Sequence, residues 1–122
     1  MQTKTKYSDL TDEELVRQYA AAAETHGQDT LSGNFKGTHV QADILVPIDQ
    51  ELRDRNAVAL LAPLLESQND SVRVWAASML IETIPFEVER TLEDVLSKPP
   101  NLIKMMARNI LENWRKKKAE RE

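Results

Sequence analysis

The chain has 122 residues, a length typical of one domain, and 41% of them are hydrophobic, which is enough for one modest core. Its 16 lysines and arginines and 20 aspartates and glutamates give a formal charge of -4, which opposes binding to nucleic-acid phosphates and to anionic membranes. There is no cysteine, no signal-peptide pattern and no apolar stretch near the roughly 20 residues that span a bilayer. We therefore expect a single domain, residues 1–122, in the cytoplasm.

The first predicted helix begins after Thr11. The run from Thr11 to Glu14 has the form of a capping box, and apolar residues then recur at spacings of three and four until about Gly27. All three glycines and several polar residues lie between Gly27 and Gly37. Because glycines and polar residues commonly end helices, we expect a loop there.

Prolines fall inside the next two predicted helices. The second helix should cover about residues 38–55, where Pro47 removes one backbone hydrogen bond and should cause a kink or a later start. The third helix should follow Asn56 as its N-cap and bend at Pro63.

Three further helices are expected at about residues 71–83, 86–97 and 101–118. The first of them is apolar on most sides, which is typical of a helix packed between others. No segment alternates apolar and polar residues for long enough to predict a strand. The expected fold is therefore all-α, with six helices in about three stacked hairpins.

The second half of the chain repeats itself at an offset of 31 positions. Residues 69–80 align with residues 100–111, and Leu61 aligns with Leu92. Each copy contains an apolar helix, a polar turn and a second apolar helix, so the best-matched repeats cover about residues 57–85 and 86–118. This pattern is typical of stacked repeats in which one unit needs a neighbour to bury its apolar face.

Residues 64–80 resemble the turn and second helix of a HEAT repeat. The similarity rests on a leucine pair, a short acidic turn, a Val-Arg step and an Ala-Ala pair, which are carried by Leu64, Leu65, Val72, Arg73, Ala76 and Ala77. The order of these pieces along the chain resembles a family of short bacterial HEAT-like proteins classed as a domain of unknown function. The resemblance implies an α-α superhelix whose second helices line a concave protein-binding surface.

One position departs from the HEAT pattern. HEAT repeats usually carry an aspartate six residues before the arginine, where this chain has Ser67. If the usual ladder of acids and arginines forms between repeats, Asp70 or Glu66 must pair with Arg73.

No set of residues specifies a reaction. His26 and His39 are far apart and lack the paired spacing of a helical metal site. Two buried carboxylates can share a proton, but the acidic residues between Glu82 and Asp94 are more simply a solvated helix face. The glycines lack the spacing of a phosphate loop. We therefore expect no enzymatic activity, no metal and no cofactor.

Four cations at positions 115–118 allow two interpretations. They complement the negative end of a helix dipole, or they form a nucleic-acid patch. Acidic residues follow and no aromatic residue interleaves, which favours the first interpretation. A HEAT-like nucleic-acid-binding or DNA-repair-type protein is the alternative function, and it would need a basic groove.

Helical spacing predicts protein-binding residues on the fourth and sixth helices. An aromatic residue and a methionine in a polar surround are typical of a binding hot spot, whereas burial under the preceding hairpin would make both of them core residues. The candidates are Trp75, Ser78, Glu82, Met106, Arg108, Asn109 and Asn113.

The expected function is that of a non-enzymatic protein-protein interaction module. Small size, negative charge, a repeat scaffold and the lack of a catalytic set all favour it. A more specific hypothesis is a small bacterial regulatory or toxin-neutralising protein whose acidic surface suits a basic partner. The pattern identifies neither the partner nor the oligomeric state.

Overall fold

The computed structural model describes residues 7–121 and is helical almost throughout. Its five α-helices are α1 (Asp12–Ser32), α2 (Phe35–Asp54), α3 (Asp70–Leu80), α4 (Pro85–Leu96) and α5 (Leu102–Arg121). A 3-10 helix, Val58–Glu66, precedes α3, and a short 3-10 turn, Tyr7–Asp9, precedes α1. No strand occurs between residues 7 and 121, which confirms the all-α prediction. None of the described helices is both long and apolar enough to cross a membrane.

The start of α1 is as predicted. The Thr11 side chain accepts a hydrogen bond from the Glu14 backbone N–H at 3.1 Å, and the Thr11 N–H donates to Glu14 Oε1 at 2.9 Å. Both halves of the capping box are therefore formed, and the helix begins with satisfied backbone donors.

The predicted loop between Gly27 and Gly37 is wrong. The helix α1 continues through Gly27 to Ser32, and only Gly33 and Asn34 separate it from α2. Gly33 has a φ of 78°, the left-handed conformation that commonly ends a helix. The Asn34 side chain then caps α2 by accepting from the Gly37 N–H at 3.1 Å. Gly33 thus caps the end of α1 and Asn34 caps the start of α2, and no long loop separates the two helices.

The prolines of the second and third predicted helices act differently from each other. The helix α2 continues through Pro47 and begins at Phe35, so the expected later start is wrong. The third predicted helix is a 3-10 helix that contains Pro63. Asn56 is not its N-cap: it has a φ of 55° and its N–H donates to Arg53 O, which closes α2 instead. Asparagine tolerates this left-handed conformation better than most residues.

Equivalent positions of the two repeats are buried together. Val72 and Ile103 are both buried, and the alanines Ala76 and Ala107 are fully buried. The predicted helices at residues 71–83 and 101–118 correspond to α3 and α5, although α3 ends earlier and α5 ends later than expected. The offset of 31 positions therefore matches burial at these positions, whereas buried Val74 aligns with Met105, which is exposed.

The first hairpin packs on the repeats through α1. The Ser71 hydroxyl donates to Ala23 O at 2.7 Å, and the Tyr19 hydroxyl donates to Trp75 O at 3.0 Å. A methyl group added at Gly27 would overlap Ser71 and lie 3.4 Å from the Ile103 side chain. The helix α1 therefore crosses α3 closely and reaches the start of α5, whereas α2 packs mainly on α1.

Arg73 joins the two repeats. Its guanidinium lies 3.2 Å from Asp70 Oδ1 and 2.8 Å from Asp94 Oδ2 of α4, and its Nε donates to Leu65 O. The hydrogen bond from Arg73 lowers the pKa of Asp94 below its usual value. Of the two acids considered as partners of this arginine, Asp70 makes the pair.

Candidate functional site

Trp75 lies in the contact between α1 and α3. Its ring meets the His26 ring edge-on, with the centroids 5.0 Å apart, and the side chain is partly buried against the core. The indole Nε1 is buried and has no hydrogen-bond partner among the described residues. These contacts give Trp75 a packing role between α1 and α3, and its role in binding stays a prediction.

The other two candidates in this part of the chain, Ser78 on α3 and Glu82 just beyond it, are exposed. The Ser78 hydroxyl donates to Trp75 O of the same helix at 2.7 Å. Glu82 lies 3.0 Å from Arg121 and 3.5 Å from Lys117 of α5. The Arg121 hydrogen bond and the Lys117 charge lower the pKa of Glu82. Glu82 therefore holds the end of α5 against the end of α3.

The four candidates on α5 do not share one face. Met106 is partly buried, while Arg108, Asn109 and Asn113 are exposed. Neighbouring residues on an α-helix are about 100° apart, so Arg108 points away from the stripe that contains Asn109 and Asn113. The structure therefore separates the seven candidates into packing, ion-pairing and freely exposed residues.

Four large apolar side chains are exposed where α1 ends, α2 begins and α5 begins. The exposed fractions are 54% for Leu31, 61% for Phe35, 42% for Leu102 and 54% for Met105. The close approach of Gly27 to Ile103 places the end of α1 beside the start of α5. Leu31 follows Gly27 by one turn and Leu102 adjoins Ile103, so Leu31 and Leu102 lie on the neighbouring ends of α1 and α5. We name Leu31, Phe35, Leu102 and Met105 the apolar end.

The apolar end continues into two of the predicted candidates. Asn109 is four residues after Met105 and seven after Leu102, which places it on the same stripe of α5. Asn113 follows on the next turn. Sequence spacing missed Leu31 and Phe35 because both were expected in a loop, and it missed Met105 because the predicted stripe passed through Met106.

Three ionisable groups whose pKa is shifted mainly by burial lie where α1 packs on α2 and α3. Burial raises the pKa of Asp49 to about 6, against the opposing effects of the Tyr19 hydroxyl and the charge of Arg53. Burial also raises the pKa of Tyr19 and lowers the pKa of His26. Among residues 7–121, no three histidine or acidic side chains come together as metal ligands. Packing of the helices accounts for all three shifts.

Comparisons of the chain with protein-family models, with curated proteins and with solved structures give no match. The similarity to HEAT repeats therefore depends on the residues of the chain alone. The structure shows that the described residues are helical. The HEAT-like superhelical arrangement stays a prediction.

Proposed function

We propose that the protein is a non-enzymatic protein-interaction module that binds a protein partner through the apolar end. The observation that carries this proposal is the exposure of 42–61% for four large apolar side chains at the end of α1, the start of α2 and the start of α5. Exposed apolar patches with polar borders are typical of protein-protein interfaces. Asn109 and Asn113 supply such a border along α5.

The net charge favours a basic partner. A formal charge of -4 attracts cationic proteins over distances of about 10 Å at ordinary ionic strength and increases their rate of association. A regulatory or toxin-neutralising role, in which an acidic protein covers a basic site, fits this charge. Such a role is the specific form of the proposal.

The cations of α5 support a protein partner over nucleic acid. Lys117 and Arg121 pair with Glu82, and Lys118 lies 3.3 Å from Glu89. The indole N–H of Trp114 donates to the same Glu89 carboxylate at 2.8 Å. These charges are engaged within the chain, which favours the helix-end interpretation over a phosphate-binding patch.

The test compares two leucines of nearly equal exposure. Leu102 of the apolar end is 42% exposed, and Leu60 of the 3-10 helix is 41% exposed. The full chain and the variants Leu102→Ala, Phe35→Ala and Leu60→Ala are used to capture proteins from the native host, and the affinity for the captured protein is then measured. We expect Phe35→Ala and Leu102→Ala to weaken binding by about 2 kcal/mol, as hot-spot changes do, and Leu60→Ala to leave it unchanged.

Two results would contradict the proposal. One is equal binding by the parent and the apolar-end variants. The other is capture of nucleic acid with an affinity that falls with salt, because that behaviour indicates phosphate contacts. Melting temperatures should be nearly the same for all variants, since each changed side chain is at least 41% exposed.

A further inference from the structure

A groove of about 660 Å³ lies between the 3-10 helix Val58–Glu66 and α4. Its floor contains Ala62, Leu65 and Ile84, which are buried or partly buried apolar side chains. The volume is within the range that accommodates several side chains of a ligand. We name this surface the acidic groove, because of the charges on its rim.

The rim carries four carboxylates, those of Glu66, Glu87, Glu93 and Asp94, and two cations, Arg73 and Arg90. The charge of Arg73 is engaged by Asp70 and Asp94, and its side chain is only 13% exposed. The Arg90 guanidinium lies 5.9 Å from the centre of the Phe86 ring. The rim therefore presents more negative than positive charge.

Two of the carboxylates are free to pair with a ligand. Glu66 and Glu87 are exposed and make no ion pair with residues 7–121, whereas Asp94 pairs with Arg73, and Glu93 lies 3.7 Å from Arg115. An apolar floor between two unpaired acids is complementary to a surface that is apolar in the middle and basic at its edges.

We propose that the acidic groove docks a cationic amphipathic helix of a partner protein. The apolar side chains of that helix cover Ala62, Leu65 and Ile84, and its lysines or arginines reach Glu66 and Glu87. This mode of recognition places the apolar face of a helix in a groove between two others. The groove shares no residue with the apolar end, so this proposal does not depend on binding there.

The basic end of α5 in a second copy is a poorer occupant. Lys117, Lys118 and Arg121 already pair with Glu82 and Glu89 of their own chain. Docking in another copy would require these pairs to break. A helix from a different protein meets no such cost.

The test uses a synthetic amphipathic helical peptide of leucine and lysine, with the lysines on one face, as the probe. Its affinity is measured for the parent, for the double variant Glu66→Gln/Glu87→Gln, and for the matched control Glu112→Gln/Glu120→Gln. The control removes the same charge from exposed positions of α5, away from the groove. We expect the groove variant to bind about tenfold more weakly and the control to bind like the parent, with affinity falling as salt rises.

Several results would overturn the proposal. Equal weakening by the control variant would show that binding follows net charge alone. Equal binding of a scrambled peptide of the same composition would show that the apolar floor is not used. Absence of binding to the parent at low salt would exclude docking altogether. The variant Leu102→Ala should bind the probe normally, which separates this proposal from binding at the apolar end.

Discussion

The 3-10 helix Val58–Glu66 and α4 are aligned by the offset of 31 positions but have different backbones. Leu61 and Leu92, which are 31 positions apart, are both fully buried. The first segment nevertheless makes the tighter i to i+3 hydrogen bonds, such as Leu60 N–H to Ala57 O.

The two aligned segments differ in the position of proline. Pro63 lies inside the 3-10 helix, and the residue 31 positions later is Asp94 of α4. An interior proline cannot donate a hydrogen bond and clashes with the preceding turn of an α-helix. The proline of α4, Pro85, is at its first position, where a helix tolerates it. Pro63 therefore favours the 3-10 backbone of this segment, although α2 remains an α-helix around Pro47.

The largest expected effect tests whether the repeats share one core. Leu80 and Leu111 are equivalent positions, with exposures of 0% and 2%. Either change to alanine should lower the free energy of unfolding by roughly 2–5 kcal/mol, because it removes buried methyl groups and leaves a cavity. Denaturant unfolding measures this loss. The control Leu60→Ala, at an exposed position, should cost less than about 1 kcal/mol. A midpoint unchanged by either core variant would contradict the shared register.

The second prediction introduces proline into the other repeat. Asp94→Pro should destabilise the protein by about 3 kcal/mol, because α4 loses a backbone hydrogen bond and gains a clash. The control Asp94→Ala removes only the pair with Arg73, which should cost at most about 1 kcal/mol since Asp94 is exposed. Thermal unfolding of both variants separates the two contributions. Equal destabilisation by alanine and proline would show that the ion pair, rather than the backbone, matters here.

The smallest expected effect is that of Pro63→Ala. Removal of the proline should change stability by less than about 1 kcal/mol, because a new backbone hydrogen bond is offset by a more flexible unfolded chain. The informative measurement is the set of Cα chemical shifts of residues 58–66, which should move toward α-helical values. If the segment keeps its 3-10 hydrogen bonds, Pro63 is not what distinguishes the two repeats.

Local signals in the sequence predicted much of the fold. The Thr11 capping box and the equivalent buried positions of α3 and α5 follow from short-range spacing, so they could be found from residues alone. The continuation of α1 through Gly27 could not be predicted from local signals. A glycine inside a helix lowers stability by about 1 kcal/mol relative to alanine and therefore suggests a helix end. Here the lack of a side chain at Gly27 lets Ser71 of α3 pack against α1. That contact joins residues 44 positions apart, beyond the range of any local pattern.

The candidate surface was predicted less well for the same reason. Asn109 and Asn113 are exposed as expected, but the exposure of Leu31 and Phe35 depends on how the first hairpin packs against the rest of the chain. The pairing of Glu82 with the end of α5 likewise depends on tertiary packing. Helical spacing predicts which residues share a face of a helix. The packed structure shows which of those faces another helix covers.

The partly buried carboxylate of Asp49 links folding to proton uptake. Its pKa rises from an ordinary value of 3.8 to about 6, so the folded chain binds a proton in this range more tightly than the unfolded chain does. The stability contributed by protonated Asp49 is fully present below about pH 4 and is lost as the pH rises through about 6. His26 has the opposite sign, because its lowered pKa opposes charging of the folded chain as the pH falls. The junction between the first hairpin and the repeats therefore contains two groups that oppose each other's response to mild acid, and urea unfolding across this range measures their balance.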